Sequence, residues 1–148
     1  MSLKTVMLVC LVMHCVSVTA APQFSDFPAP VYSGRITTAH LTDAKSRQYA
    51  TQLQATRYGK VNFSGNHILT AWGCGASCII AATVDAKTGM VKWLPFTVCC
   101  WNHGIKVPLE FRADSRLLIV HGSRDETGSA GDISYYTFDG RKFSEIHH

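Results

Sequence analysis

The chain has 148 residues, of which 16% are charged and 47% hydrophobic, with a formal net charge of +4. That length bounds it to one domain with enough apolar side chains for a core, although a domain of this size gains from covalent staples. Nucleic acid is not a natural partner: the longest Lys/Arg run is Arg141-Lys142, and no run interleaves basic residues with aromatics.

The first twenty residues read as a secretory signal peptide. A short basic start, MSLK, precedes the apolar run TVMLVCLVMHCVSV, and Val18-Thr19-Ala20 offers small residues for cleavage after Ala20. The competing reading, a membrane anchor, needs about 20 apolar residues, and this run is shorter and interrupted by His14. A lipoprotein is disfavoured because Cys10 follows Val9 and Cys15 follows His14, neither a small residue. Cleavage removes Lys4, Cys10 and Cys15 and leaves a charge of +3 and the cysteines Cys74, Cys78, Cys99 and Cys100 on a single β-rich domain, residues 21–148. The expected location is the periplasm or outside the cell, with no stable membrane insertion after cleavage.

Residues 21–36, with three prolines and two phenylalanines, predict an irregular arm that packs on the domain. Residues 41–57 predict the one helix. Thr42 or Asp43 caps its start, and Leu41, Tyr49 and Leu53 share a face with Ala50 beside them. Lys45, Arg47, Gln52 and Gln54 cover much of the rest, and Gly59 ends it. From about residue 61 the pattern is β. HILTAW (67–72) and IIAATV (79–84) predict strands, the second apolar enough to be buried on both faces. Residues 85–89, Asp-Ala-Lys-Thr-Gly, predict the turn into MVKWLPF (90–96). Further strands are expected at RLLIVHG (116–122), ISYYTF (133–138) and RKFSEI (141–146), the last two joined by a two-residue type I′ turn at Asp139-Gly140.

HILTAWG (67–73) and RLLIVHG (116–122) are alike at an offset of 49, and each is followed by a small-residue loop, a strand, an Asp…Gly turn and another strand. A period near 40–50 residues is blade-like. Two units cannot close a propeller. The expected fold is therefore mainly β: antiparallel sheets from two blade-like hairpin units, sandwich-like or an incomplete propeller, with one N-terminal helix.

Four cysteines in an exported chain read as disulfides. Zinc is disfavoured because adjacent Cys99 and Cys100 cannot easily present both sulfurs to one tetrahedral ion, even with His103 near. A redox pair would be C-x-x-C at a helix start, whereas Cys74 and Cys78 are three residues apart between strands. A cysteine nucleophile with His121 or His67 as base lacks a recognisable third residue. Gly73, Gly75 and Ser77 favour a Cys74–Cys78 bridge, while cross-pairing with Cys99 and Cys100 stays open among three connectivities.

The polar segment HGSRDETGSAGD (121–132) reads either as a solvated connection or as a projecting loop that touches a partner, with His121, Gly122, Ser123, Arg124 and Asp125 as the contact residues. It is not a Gly-x-Ser-x-Gly motif, so a serine nucleophile on a strand-to-helix elbow is not supported at Ser123. Trp72, Trp93 and Trp101 fit sheet packing better than a sugar platform. Glu110, Glu126 and Glu145 form no glycosidase pair, and no phosphate-binding glycine loop is present. No cofactor and no metal are expected, and His147-His148 carries no functional assignment.

Residues 44–91 carry Asn62-Phe63-Ser64-Gly65, then Trp72-Gly73-Cys74-Gly75-Ala76-Ser77-Cys78, then Asp85 through Val91, and FRADSRLLIVHGS follows at 111–123. This set resembles a widespread group of small exported bacterial β-rich proteins with a WGCGxxC motif, across roughly residues 41–146. The resemblance implies the fold and export. A weaker resemblance is to the periplasmic immunity proteins of type VI secretion amidase effectors, which plug a peptidoglycan amidase with a serine-bearing loop. It implies a non-enzymatic inhibitor whose loop His121–Asp125, with Ser123 at its tip, meets a secreted cell-wall amidase. The alternatives are a cysteine-dependent enzyme and a cell-wall carbohydrate-binding module.

Overall fold

Among the described residues nine strands carry the fold, and their two-residue alternation decides which side chains meet. The computed structural model describes residues 20–148, so the signal-peptide reading falls, save for Ala20, outside the described residues. The first sheet contains β1 (His67–Gly75), β2 (Cys78–Asp85), β3 (Val91–Trp93), β4 (Val98–Cys99) and β7 (Ser123–Arg124). Its order is β1-β2-β4-β7, and β3 shares the β4 edge of β2 by pairing with Ala82–Val84. The second sheet runs β5-β6-β8-β9, from β5 (Leu109–Phe111), β6 (Leu117–His121), β8 (Ile133–Phe138) and β9 (Phe143–Ile146). All pairs are antiparallel.

The two sheets pack face to face, as a sandwich. Leu69, Ala81 and Val98 of the first meet Leu109, Leu118, Val120, Tyr136 and Phe138 of the second, with Phe63 fully buried among them. The Phe63 ring lies 5.7 Å from Phe138 and 6.1 Å from Phe111, within the range of favourable aromatic pairing. Burial of each such large side chain stabilises the fold by roughly 1.5–3 kcal/mol. The opposite face of the first sheet is also covered. Ala82 and Val84 of β2 pack with Ala39 and Leu53, and around them lie Leu41, Tyr49, Trp72, Val91 and Trp93. The apolar run 79–84 is thus buried on both faces because a second sheet covers one and a helical segment the other.

That helical segment is not one helix. α1 (Ala44–Gln48) and α2 (Ala50–Ala55) are separated at Tyr49, and a 3-10 turn, Thr56–Tyr58, completes it before Gly59. Asp43 caps α1, its carboxylate accepting from the Ser46 backbone N–H at 2.7 Å. The break coincides with a tertiary demand. Tyr49 sits 5.2 Å from the Trp72 ring and 5.8 Å from Trp93, a packing position that the bend at this residue (φ −106°, ψ 29°) accommodates.

The two seven-residue segments that look alike both open three-stranded meanders, β1-β2-β3 and β6-β8-β9. Their turns share a device. Asp85 accepts the N–H groups of Lys87 and Thr88, and Asp139 those of Arg141 and Lys142, both at positions two and three residues on. The second turn is nevertheless not type I′. Four residues, 139–142, connect the strands, and of Asp139 and Gly140 only Gly140 has positive φ, so the carboxylate rather than a left-handed pair shapes the bend.

The arm is pinned across the second meander. Ala29 donates to the Asp114 carbonyl, Arg116 to that of Phe27, and the buried Ser115 hydroxyl reaches the carbonyls of Phe24 and Phe27. At the other end of β6 a single residue, Gly122, carries the chain from the second sheet into β7 of the first. Its φ is +106°, and an added Cβ would stand 2.6 Å from the Cys99 carbonyl oxygen, so only glycine fits. Among the described residues no helix is long and apolar enough to cross a membrane.

Candidate functional site

The residues singled out at 121–125 converge where β6 passes into β7, but they do different things. His121 closes β6, and its Nε2 pairs with the Glu110 carboxylate of β5. Ser123 is not at a loop tip. It lies in β7 opposite Cys99, is 3% exposed, and donates its hydroxyl proton to the Cys99 carbonyl at 3.3 Å. The polar composition of 121–132 hid a strand whose partner is 24 residues away. A partner cannot reach this hydroxyl without unpairing β7, so the serine-tip geometry expected from sequence is corrected.

Arg124 joins the two sheets. One guanidinium nitrogen donates to the Tyr136 hydroxyl at 2.6 Å and to the Glu145 carboxylate at 2.7 Å, on β8 and β9 respectively. The bond to Glu145 holds the guanidinium charge above its ordinary range, against the opposing effect of burial. Burial raises the Tyr136 phenol, which the Arg124 hydrogen bond only partly offsets.

The exposed surface begins at Asp125 and runs through Ile133. Asp125 and Glu126 adopt positive φ, at 49° and 62°. The strain is held by neighbours: Asp125 N–H donates to the Thr97 carbonyl, and the Asp125 carboxylate accepts from the Thr97 N–H at 2.8 Å. Glu126 N–H points at the Cys99 sulfur, 3.2 Å away. Further along, Ser129 N–H bonds the Asp132 carboxylate, and the Asp132 carbonyl accepts from Gly122 N–H. The loop is therefore a closed, internally bonded projection around a small polar hollow of about 300 Å³. Its outer residues, Glu126 to Gly131, were not singled out from sequence, where nothing separates them from an ordinary solvated connection.

Of the four cysteines, two are bridged. Cys74 and Cys78 form a disulfide across the tight end of the β1-β2 hairpin. Cys99 and Cys100 are free thiols, the first buried and the second exposed, so the disulfide reading is corrected for both. Cys99 closes β4, and Cys100 follows it outside the strand at a φ of +56°. Cys99 is the register partner of Cys78. His67, the other base considered for a cysteine nucleophile, opens β1 while Cys74 stands near its end, roughly 20 Å of extended chain apart. Among the described residues no group of three or more His, Cys, Asp or Glu side chains is placed to hold a metal.

The tryptophans pack inward. Trp72 and Trp93 meet edge to face at 5.9 Å, Tyr49 contacts both, and the Lys45 ammonium stands 4.2 Å over the Trp93 ring, occupying a face that a sugar would need. Trp101 packs against the inter-sheet core. No family model, no curated protein and no solved structure matches the chain.

Proposed function

We propose that the protein is an extracytoplasmic inhibitor, of the immunity-protein kind, that binds and occludes a peptidoglycan-cleaving amidase without chemistry of its own. The observation that supports this reading is the loop 125–131, exposed along its length yet fixed at both ends by hydrogen bonds to Thr97, Cys99 and Asp132. A projection that is already ordered loses little entropy on entering an enzyme cleft, which is what a tight occluding inhibitor requires. The Cys74–Cys78 disulfide fits an oxidising compartment, and the signal-peptide reading of residues 1–20 extends that to export. The amidase as partner comes from the resemblance of residues 121–125 to the serine-bearing plug. With Ser123 buried, the contact moves outward to Glu126, Thr127, Ser129 and the neighbouring backbone.

The test is a calorimetric titration of the mature domain against a secreted peptidoglycan amidase. Ser129→Trp, a bulky change on the exposed loop, should weaken binding by about 2 kcal/mol or more, the range of a central contact. Wild-type affinity in Ser129→Trp would remove the loop from the interface. Absence of heat or of inhibition with the amidase would remove the partner class.

A further inference from the structure

A second cleft lies at the other end of β6 from the loop, about 15 Å away along the strand. It has a volume of about 260 Å³ and opens where the heads of the two meanders meet under the N-terminal arm. His67 heads β1 and Arg116 immediately precedes β6, the same position in the two related segments at the offset of 49. Both line this cleft, with Lys87 from the Asp85 turn, Asp139 and Gly140 from the second turn, and Pro28 and Pro30 from the arm.

The walls are fixed. Tyr32 N–H bonds the Gly65 carbonyl at 2.7 Å, Ala86 N–H the Asn66 carbonyl at 2.7 Å, and Phe138 N–H the Arg116 carbonyl at 3.0 Å. The charges divide into committed and uncommitted. Asp139 accepts two backbone N–H groups, and Asp85, behind the cleft, accepts from Asn66 and from its own turn. Lys87 and Arg116 enter no ion pair among the described residues, and the Lys87 ammonium stands 5.2 Å from the centre of the Tyr32 ring. At the floor is His67, 4% exposed, its Nδ1 sealed from solvent and without a hydrogen bond. The Cε1 side of the ring faces Gly140, where an added Cβ would stand 3.9 Å away. Two cations outside any ion pair, an imidazole packed edge-on against Phe138 at 4.9 Å, and proline walls thus meet in one cleft.

We propose that this cleft binds a small organic carboxylate, its charge held by Arg116 and Lys87 and its apolar body against Pro28 and Pro30. The guanidinium fork matches the two oxygens of a carboxylate. A phosphate dianion suits the cleft less well, since its second charge would meet the ionised Asp139 and no row of backbone N–H groups is there to receive it. The site is separate from the inhibitory loop and does not rest on the amidase reading.

The probe is N-acetylalanine, titrated into the 15N-labelled mature domain and compared with the uncharged N-acetylalaninamide and with inorganic phosphate. The expected result is saturable movement of the Ser64–His67 and Asp139–Gly140 amide resonances with N-acetylalanine alone, at a dissociation constant on the order of 1 mM. Arg116→Ala, a change at an exposed side chain, should weaken it about tenfold, and Lys87→Ala in the same direction, with Ser129→Trp leaving it unchanged. Arg116→Lys should recover part of the loss, which separates charge from packing. Equal movement with the amide, stronger binding of phosphate, wild-type affinity in Arg116→Ala, or no saturable movement up to about 20 mM would each overturn the proposal.

Discussion

His67 is the most buried histidine among the described residues. Burial depresses its pKa below the ordinary 6.5, and the nearby Asp85 carboxylate and Ser64 carbonyl offset that only in part. The folded state therefore holds it neutral where the unfolded chain already takes a proton. Below pH 6.5 the unfolded state binds more protons, so stability falls as pH falls through the window between 6.5 and the depressed folded value. Denaturant midpoints of the wild type should drop across that window, and His67→Gln should flatten the dependence. Parallel curves for the two would place the acid sensitivity elsewhere. Asp85 belongs to a lower window. Burial opposes its ionisation, but N–H groups of Lys87, Asn66 and Thr88 outweigh it and keep the carboxyl below its usual value, so its contribution is lost only in more acid solution. The cysteines give a second check at this scale. In the mature chain a thiol reagent should label Cys100 rapidly, Cys99 only after unfolding, and Cys74 and Cys78 only after reduction. Fast labelling of two thiols in the native protein would show that Cys99 is not covered. Gly73, Gly75 and Ser77 made the Cys74–Cys78 bridge legible in advance. The state of Cys99 was not, because it depends on Ser123 and Glu126 arriving over it from 24 and 27 residues away.

At the scale of elements, what could be read from sequence tracks strand length, except that the short β3 and β9 were marked by the Asp85 and Asp139 turns before them. β1, β2, β6 and β8 are five to nine residues long, and their apolar runs announced them. β4 and β7 are two residues each, and β5 is three. No periodicity exists in two residues. Val98-Cys99 is a strand only because β2 offers it an edge, and Ser123-Arg124 only because β4 does so in turn, and this is why a buried strand residue looked like the tip of a polar loop. The helix is a milder case. Its cap and buried face followed from Asp43 and Leu53, whereas its break at Tyr49 follows from two tryptophans on strands more than 20 residues away. The Gly122 crossover carries the prediction that belongs here. Gly122→Ala would place a methyl group 2.6 Å from the Cys99 carbonyl and 3.1 Å from the Trp101 Cβ, at a φ of +106°. We expect a loss of about 2 kcal/mol or more in denaturant unfolding, with the β4-β7 pairing the first casualty. A change within about 0.5 kcal/mol would mean that the backbone there relaxes freely.

For the whole molecule, the arrangement separates two surfaces with one strand. The loop 125–131 stands beyond one end of β6 and the cationic cleft at the other, and the two share no residue. Occupation of either can thus be measured without disturbing the other, which lets Ser129→Trp and Arg116→Ala serve as mutual controls. Fold class was legible because sandwich formation depends on many apolar residues, so that errors at individual turns, such as Asp139-Gly140, do not move the sheets. The surfaces were less legible because they depend on which polar groups remain unpaired once the chain has closed on itself. The Gly122 crossing has one further consequence. With a single residue between a strand of each sheet, and Arg124 bonded back to β8 and β9, neither sheet can open without dragging the other. Native-state hydrogen exchange should find β2 and β6 amides sharing one opening free energy, as one foldon rather than two.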